Sequence, residues 1–144
     1  MVPIQVALWK SSGVVSFDEK NLEDNLYGSI ANESKDAKSV QSFSIDDLCL
    51  QYDINPTFIK LDTEGSELDI LEGARKVIQK NSPVFAIEIL KSSVEEDMWE
   101  RFNNFFNQFS YECFQLLGNY QLKPIMSRPD IESGFYNFLF KKKR

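Results

Sequence analysis

Two apolar runs, Thr57–Leu61 and Val84–Leu90, bracket a segment whose apolar residues recur at helical spacing. Leu68, Leu71, Ala74 and Ile78 fall on one stripe, widened by Ile70 and Val77. Ser66-Glu67-Leu68-Asp69 has the form of a capping box with Ser66 as N-cap, and Asn81 with Pro83 stops the helix. The pattern predicts a strand, a helix of about fifteen residues and a second strand, which is a βαβ unit. Its two strands should be parallel, joined by a right-handed crossover and covered on both faces. This commits the chain to an α/β fold.

The flanking segments read less sharply. Ile4–Trp9 is expected as a strand, Ser11-Ser12-Gly13 as a turn and Val14–Phe17 as a returning strand. Residues 18–38 are polar and read as a surface excursion. Val40–Phe43 is a short strand feeding Ser44-Ile45-Asp46-Asp47, where Ser44 can cap a helix whose third position is Asp47. That helix must end before Asn55–Pro56. Val94–Phe109 carries Met98, Phe102, Phe105, Phe106 and Phe109 at helical spacing, an aromatic stripe read as core. Tyr111–Leu117 and Phe135–Phe140 read as strands, the second ending before a basic tail, Lys141–Arg144, that serves as a solubilising terminus. One domain is expected over 1–144: a strand and hairpin excursion over 1–44, a helix plus the βαβ unit over 45–90, and a helix with C-terminal strands over 91–144.

Composition excludes several kinds of chemistry. The chain has 144 residues, 42% of them hydrophobic and 12 of them Phe, enough for a packed core. It carries 16 basic and 22 acidic residues, and setting the tail aside leaves 12 basic against the same 22. An acidic body argues against nucleic acid as the main partner, since that binding neutralises phosphates with Lys and Arg. Histidine is absent, so no Ser-His-Asp triad, Cys-His dyad or His-ligated zinc site can form within the chain. Cys49 and Cys113 fit no metal knuckle or CxxC motif and read as reduced, buried thiols of a cytoplasmic protein. No apolar run approaches the roughly 18 residues a membrane span needs. The six glycines include no G-x-G-x-x-G and no phosphate loop.

In open α/β sheets ligands bind beyond the carboxyl ends of the strands. Asp62 ends the first strand of the βαβ unit, Glu64 follows in the loop Asp62-Thr63-Glu64-Gly65, and Glu88 lies near the end of the next strand. Together these carboxylates could hold a divalent cation, accept a substrate proton or hydrogen-bond hydroxyl groups. Glu64 and Glu67, near a helix N-terminus, are stabilised by its dipole and need no further role on that ground. Glu88 stands inside an apolar strand, where an unpaired carboxylate is costly. Lys60 is its local candidate partner, although Lys60 and Asp62 share a strand face and can pair with each other instead.

The run Phe58-Ile59-Lys60-Leu61-Asp62-Thr63-Glu64-Gly65-Ser66-Glu67-Leu68, with Leu71, Gly73 and Ala74 after it, resembles the signature of FkbM-type methyltransferases. Phe85-Ala86-Ile87-Glu88 resembles that family's next strand. Val6-Ala7-Leu8-Trp9, Gly13, Gly28-Ser29, Ser44-Ile45-Asp46-Asp47-Leu48 and Asn137–Phe140 fall in the family's order. Thr63 and Ser66 depart mildly from its usual Val and Ala. The resemblance implies a Rossmann-like class I methyltransferase fold and S-adenosylmethionine as cofactor. The acceptor would be a hydroxyl of a sugar or other small metabolite. It further implies that Lys60, Asp62 and Glu64 line the acceptor side. Asp62 or Glu64 would orient or deprotonate the hydroxyl, and Glu88 would help position it. Methyl transfer from a sulfonium asks mainly for in-line positioning and a base.

The family's glycine-bearing cofactor motif and the strand after it have no counterpart before Ile4. The chain therefore resembles the C-terminal half to two-thirds of such an enzyme. The expected fold is a partial, mainly parallel mixed sheet with a C-terminal antiparallel strand, lacking the first two strands. Their loss leaves Thr57–Leu61 with an open apolar edge, to be covered by Ile4–Trp9 or by another chain, a second copy or a partner. On this reading the isolated chain is inactive for want of a complete cofactor site. The alternative is a non-catalytic interaction domain completed by a partner through that edge. A third reading is a Mg²⁺ site made from Asp62, Glu64 and Glu88.

Overall fold

Alternating burial along the strands and apolar stripes on the helices build a mixed α/β structure with two sheets. The computed structural model describes residues 3–18, 29–30, 38–63, 65–89, 98–134 and 136–143. The strands are β1 (Ala7–Leu8), β2 (Gly13–Asp18), β3 (Ser29–Ile30), β4 (Lys38–Phe43), β5 (Phe58–Leu61), β6 (Val84–Glu88), β7 (Tyr111–Leu116), β8 (Leu122–Ile125) and β9 (Asn137–Lys142). The helices are α1 (Ile45–Gln51), α2 (Glu67–Glu72), α3 (Arg75–Asn81) and α4 (Met98–Asn107). A 3₁₀ turn spans Arg128–Asp130. Two compact units emerge, the first from residues 1–54 and 66–76, the second from 55–65 and 77–144.

In the first unit the sheet order is β1-β4-β2-β3. The expected hairpin between Ile4–Trp9 and Val14–Phe17 does not form. β4 lies between them, parallel to β1 through Ala7↔Ser42 and antiparallel to β2 through Val14↔Gln41. Much of the 18–38 excursion lies outside the described residues.

The start of α1 forms as the sequence predicts, with one addition. Ser44 Oγ accepts from the Asp47 N–H at 3.0 Å. The Asp47 carboxylate is also tied to the N-cap through Ser12, whose hydroxyl donates to Asp47 at 2.6 Å and accepts from the Ser44 N–H at 3.1 Å. Two helix-end groups are thereby satisfied by a closed loop of hydrogen bonds.

The second expected capping box is absent. Ser66, at φ −94° and ψ 1°, lacks the extended backbone of a side-chain cap and makes no such bond. Asp69 instead pairs with Lys10 at 3.3 Å.

The single long helix is also corrected: it is broken into α2 and α3 at Gly73–Ala74. A Cβ on Gly73 would come within 2.6 Å of the Trp9 carbonyl oxygen, so only glycine fits that close approach. The Gly73 carbonyl accepts from the Asp46 N–H at 2.8 Å, and the Asp46 carboxylate accepts from the Lys76 N–H at 3.0 Å. One aspartate thus supplies both partners that a helix joint leaves wanting.

In the second unit the sheet order is β5-β6-β9-β7-β8. β5 and β6 are parallel, as the βαβ reading requires, with Phe58↔Val84 and Leu61↔Ile87 in register. β9, the C-terminal strand, inserts between β6 and β7, antiparallel to both. The pairings are therefore antiparallel beyond β6, against the expectation of a mainly parallel sheet.

Nor are the strands covered alike on both faces. Leu61, Phe85, Ile87, Tyr111, Cys113, Phe138 and Phe140 are buried, whereas their alternating neighbours are half-buried or exposed. The buried face packs on α4. Phe106 stacks on Phe140 at 4.2 Å between ring centroids and lies 5.2 Å from Phe85 and 5.4 Å from Tyr111. Residues 94–97 of the expected helix lie outside the described residues.

β8 was not expected; Pro124, which cannot donate to a ladder, suits it to its place at the edge. β9 takes in Lys141 and Lys142, which the sequence assigned to a tail. Lys141 pairs with Glu112 at 3.4 Å and lies 4.3 Å from the Phe114 ring centroid.

Candidate functional site

The register of three strands of the second unit brings the expected residues to one level. Asp62 follows Leu61, Glu88 follows Ile87, and Leu61 and Ile87 are partners in the parallel pair. Glu88 in turn is the partner of Asn137 across the antiparallel pair with β9. Two carboxylates thus lead off the carboxyl ends of adjacent parallel strands, where such sheets place ligands. Glu64 lies outside the described residues.

Of the two open pairings for Lys60, the structure has the local one. Lys60 Nζ donates to Asp62 at 2.7 Å, with both side chains partly exposed. That hydrogen bond, then the charge of Asp62 and more weakly that of Glu88, holds the ammonium above its usual value. An exposed pair of this kind contributes little to stability. It does orient the Asp62 carboxylate.

Glu88 is half-buried and lines a cavity of about 320 Å³. Leu116, Gly118, Tyr120, Tyr136 and Asn137 stand around it. The β7–β8 connection forms one wall, closed by Leu117 N–H to Gln121 and Tyr120 N–H to Leu117, each at 2.9 Å. The segment before β9 forms the other. It is fixed by the buried Gln115, whose amide donates to the Glu132 carbonyl at 2.7 Å and accepts from its N–H at 2.8 Å. The Ile89 N–H continues the β6–β9 pairing to the Tyr136 carbonyl at 2.9 Å. Glu88 was singled out in the sequence; Tyr120, Tyr136, Asn137 and Gln115 were not. No site motif marks them, because they come from the β7–β8 hairpin, the loop before β9 and the start of β9, which only the strand order brings beside β6.

Glu67 is buried in the first turn of α2. No disulfide joins the two cysteines, and burial pushes the Cys113 thiol up to about 12, which keeps it protonated at neutral pH. Among the described residues no group of three or more Cys, Asp or Glu is placed to hold a metal ion, and no helix is long and apolar enough to cross a membrane.

With this geometry in hand, the chain can be set beside known proteins. The profile of the methyltransferase FkbM domain matches residues 4–113. Among solved structures, the crystal structure of methyltransferase FkbM from Methylobacillus flagellatus KT is similar, with a TM-score of 0.53 and 20% identity. The match covers 96% of this chain and 27% of that one, so the chain spans little more than a quarter of that protein's length. No curated protein matches.

Proposed function

The chain belongs to the methyltransferase FkbM domain family, and from that premise we propose that it forms the acceptor side of an S-adenosylmethionine-dependent O-methyltransferase acting on a sugar or other small hydroxylated metabolite. The observation that carries this reading is the pair of carboxylates leading off adjacent parallel strands, Asp62 beyond β5 and Glu88 at the end of β6. Family membership implies a methyl donor. The order β5-β6-β9-β7, with β9 reversed, supports a partial Rossmann-like sheet that lacks its first two strands.

The described residues do not supply a cradle for S-adenosylmethionine. Glycines in left-handed geometry, which let backbone N–H groups converge on a ligand, stand singly at 65 and 134, in separate turns. On this reading the contribution of this chain is to the acceptor. Asp62, held by Lys60, accepts the hydroxyl proton or orients the oxygen for in-line attack, a role Glu64 can share. Lys60 and Glu88 bind the acceptor's remaining polar groups. The isolated chain is inactive on this reading.

Two measurements test it. Calorimetric titration with S-adenosylmethionine should show no saturable binding at micromolar concentration; such binding would overturn the incomplete cofactor site. Saturation-transfer NMR against a panel of sugars and hydroxylated metabolites should give a ligand whose signal is lost in Asp62→Asn. A panel with no such ligand would overturn the acceptor assignment.

A second reading has its own observation. Among the described residues, β5 has a strand partner only on its β6 side, and β1, the segment expected to cover the open side, pairs with β4 instead. Phe58, on that edge strand, is 57% exposed. An unpaired apolar edge is a template for another strand, and this favours an interaction domain completed by a second chain.

A further inference from the structure

The cavity beside Glu88 carries an inference about ligand charge. Among its described lining residues Glu88 is the one charged group, and it makes no side-chain hydrogen bond to any described residue. Lys60, whose ammonium also feels the Glu88 charge, is hydrogen-bonded to Asp62 at 2.7 Å. The rest of the described lining is neutral and includes Asn137, the register partner of Glu88, with Tyr120 and Tyr136. The backbone is held on both sides: Tyr120, 89% exposed, sits at a left-handed φ of 61° with its N–H on the Leu117 carbonyl, and the Tyr136 carbonyl accepts from the Ile89 N–H. A half-buried carboxylate that is the one charge among the described lining residues attracts a positive ligand and repels a negative one. Aromatic faces add to the attraction for an ammonium group. The volume suits a molecule of about one sugar ring.

We propose that the cavity lined by Glu88, Asn137, Tyr120 and Tyr136 binds a small ring-sized molecule carrying a protonated amine, with the ammonium on the Glu88 carboxylate. This names the class of molecule that would bear the accepted hydroxyl. It rests on the methyl-transfer reading only for what happens to the ligand once bound.

The test uses three probes of one size and opposite charge, glucosamine, glucose and glucuronate, at a pH where the amine is protonated. Binding is followed by chemical shifts of the Asn137 and Glu88 amides in the labelled chain. Glucosamine should bind at least tenfold more tightly than glucose, glucuronate should not bind, and Glu88→Gln should remove the preference. Equal affinity for glucose and glucosamine would overturn the inference while leaving the acceptor reading standing. So would a preference that survives in Glu88→Gln. No binding by any probe, with unperturbed amides, would overturn it as well. Tyr120→Ala, on an exposed turn, serves as a second variant that does not threaten folding, and it should weaken glucosamine severalfold.

Discussion

The hydroxyls of Ser12 and Ser44 hold the Asp47 carboxyl below its ordinary value of 3.8. A carboxylate with a depressed folded value adds stability that is fully present above its unfolded value of about 3.9 and is lost as pH falls through the folded one. Asp47→Asn keeps an oxygen for Ser12 but no charge. Its urea midpoint should therefore lie below that of the parent at neutral pH, and the two should converge as pH drops beneath about 4. A gap that stays constant through that range would show that the charge is not what the two hydroxyls stabilise. Half of this arrangement was legible: Ser44 and Asp47 are three residues apart, a spacing that local backbone geometry turns into a contact. Ser12 lies 35 residues before Asp47, and no local rule joins them. The same rule misled at Ser66, because the box presumes an extended N-cap and the turn after Gly65 denies it one.

At the scale of elements, the aromatic stripe of α4 was the most legible feature, since a period of 3.6 is visible without knowing what it packs against. Phe106 touches Phe85, Phe105, Tyr111 and Phe140, so three strands meet on one ring. Phe106→Ala should cost about 3–5 kcal/mol, read as a drop in the urea midpoint with an unchanged slope. A loss under about 1 kcal/mol would mean that the site collapses around the gap. Helix continuity was not legible, because the stripe of Leu68, Leu71, Ala74 and Ile78 runs across the break without a fault. What ends α2 is the approach of the Trp9 carbonyl to Gly73. β8 escaped notice because Pro124 argues against a strand unless the strand is known to be at an edge. The site follows the same division. Asp62 and Glu88 could be found from strand ends, whereas Asn137 and the tyrosines depend on which strand lies beside β6.

For the whole molecule, the open side of β5 sets the behaviour to expect. The Val84 N–H donates to the Thr57 carbonyl at 2.9 Å. Since backbone groups alternate along a strand, Phe58 and Lys60 direct theirs to the side away from β6. Sedimentation velocity should show association that rises with concentration. Phe58→Pro, which removes one outward donor and an exposed ring without touching the β6 ladder, should abolish it with an unchanged circular dichroism spectrum. A monomer at every concentration would rule out pairing between copies. The sequence reading had β5 correctly as a strand, but the choice of β4 by β1 is a matter of long-range pairing that no window of residues contains.

The bond from the Lys76 N–H to Asp46 has a consequence in time. The ribosome releases Asp46 30 residues before the amide that its carboxylate caps. At the ~5–20 residues per second of synthesis, α1 emerges on the order of seconds before its far partner exists. During that interval β5, which belongs to the other unit, is already out. Neither unit is a continuous stretch of chain, so the nascent protein must hold a half-built first unit open while it begins the second.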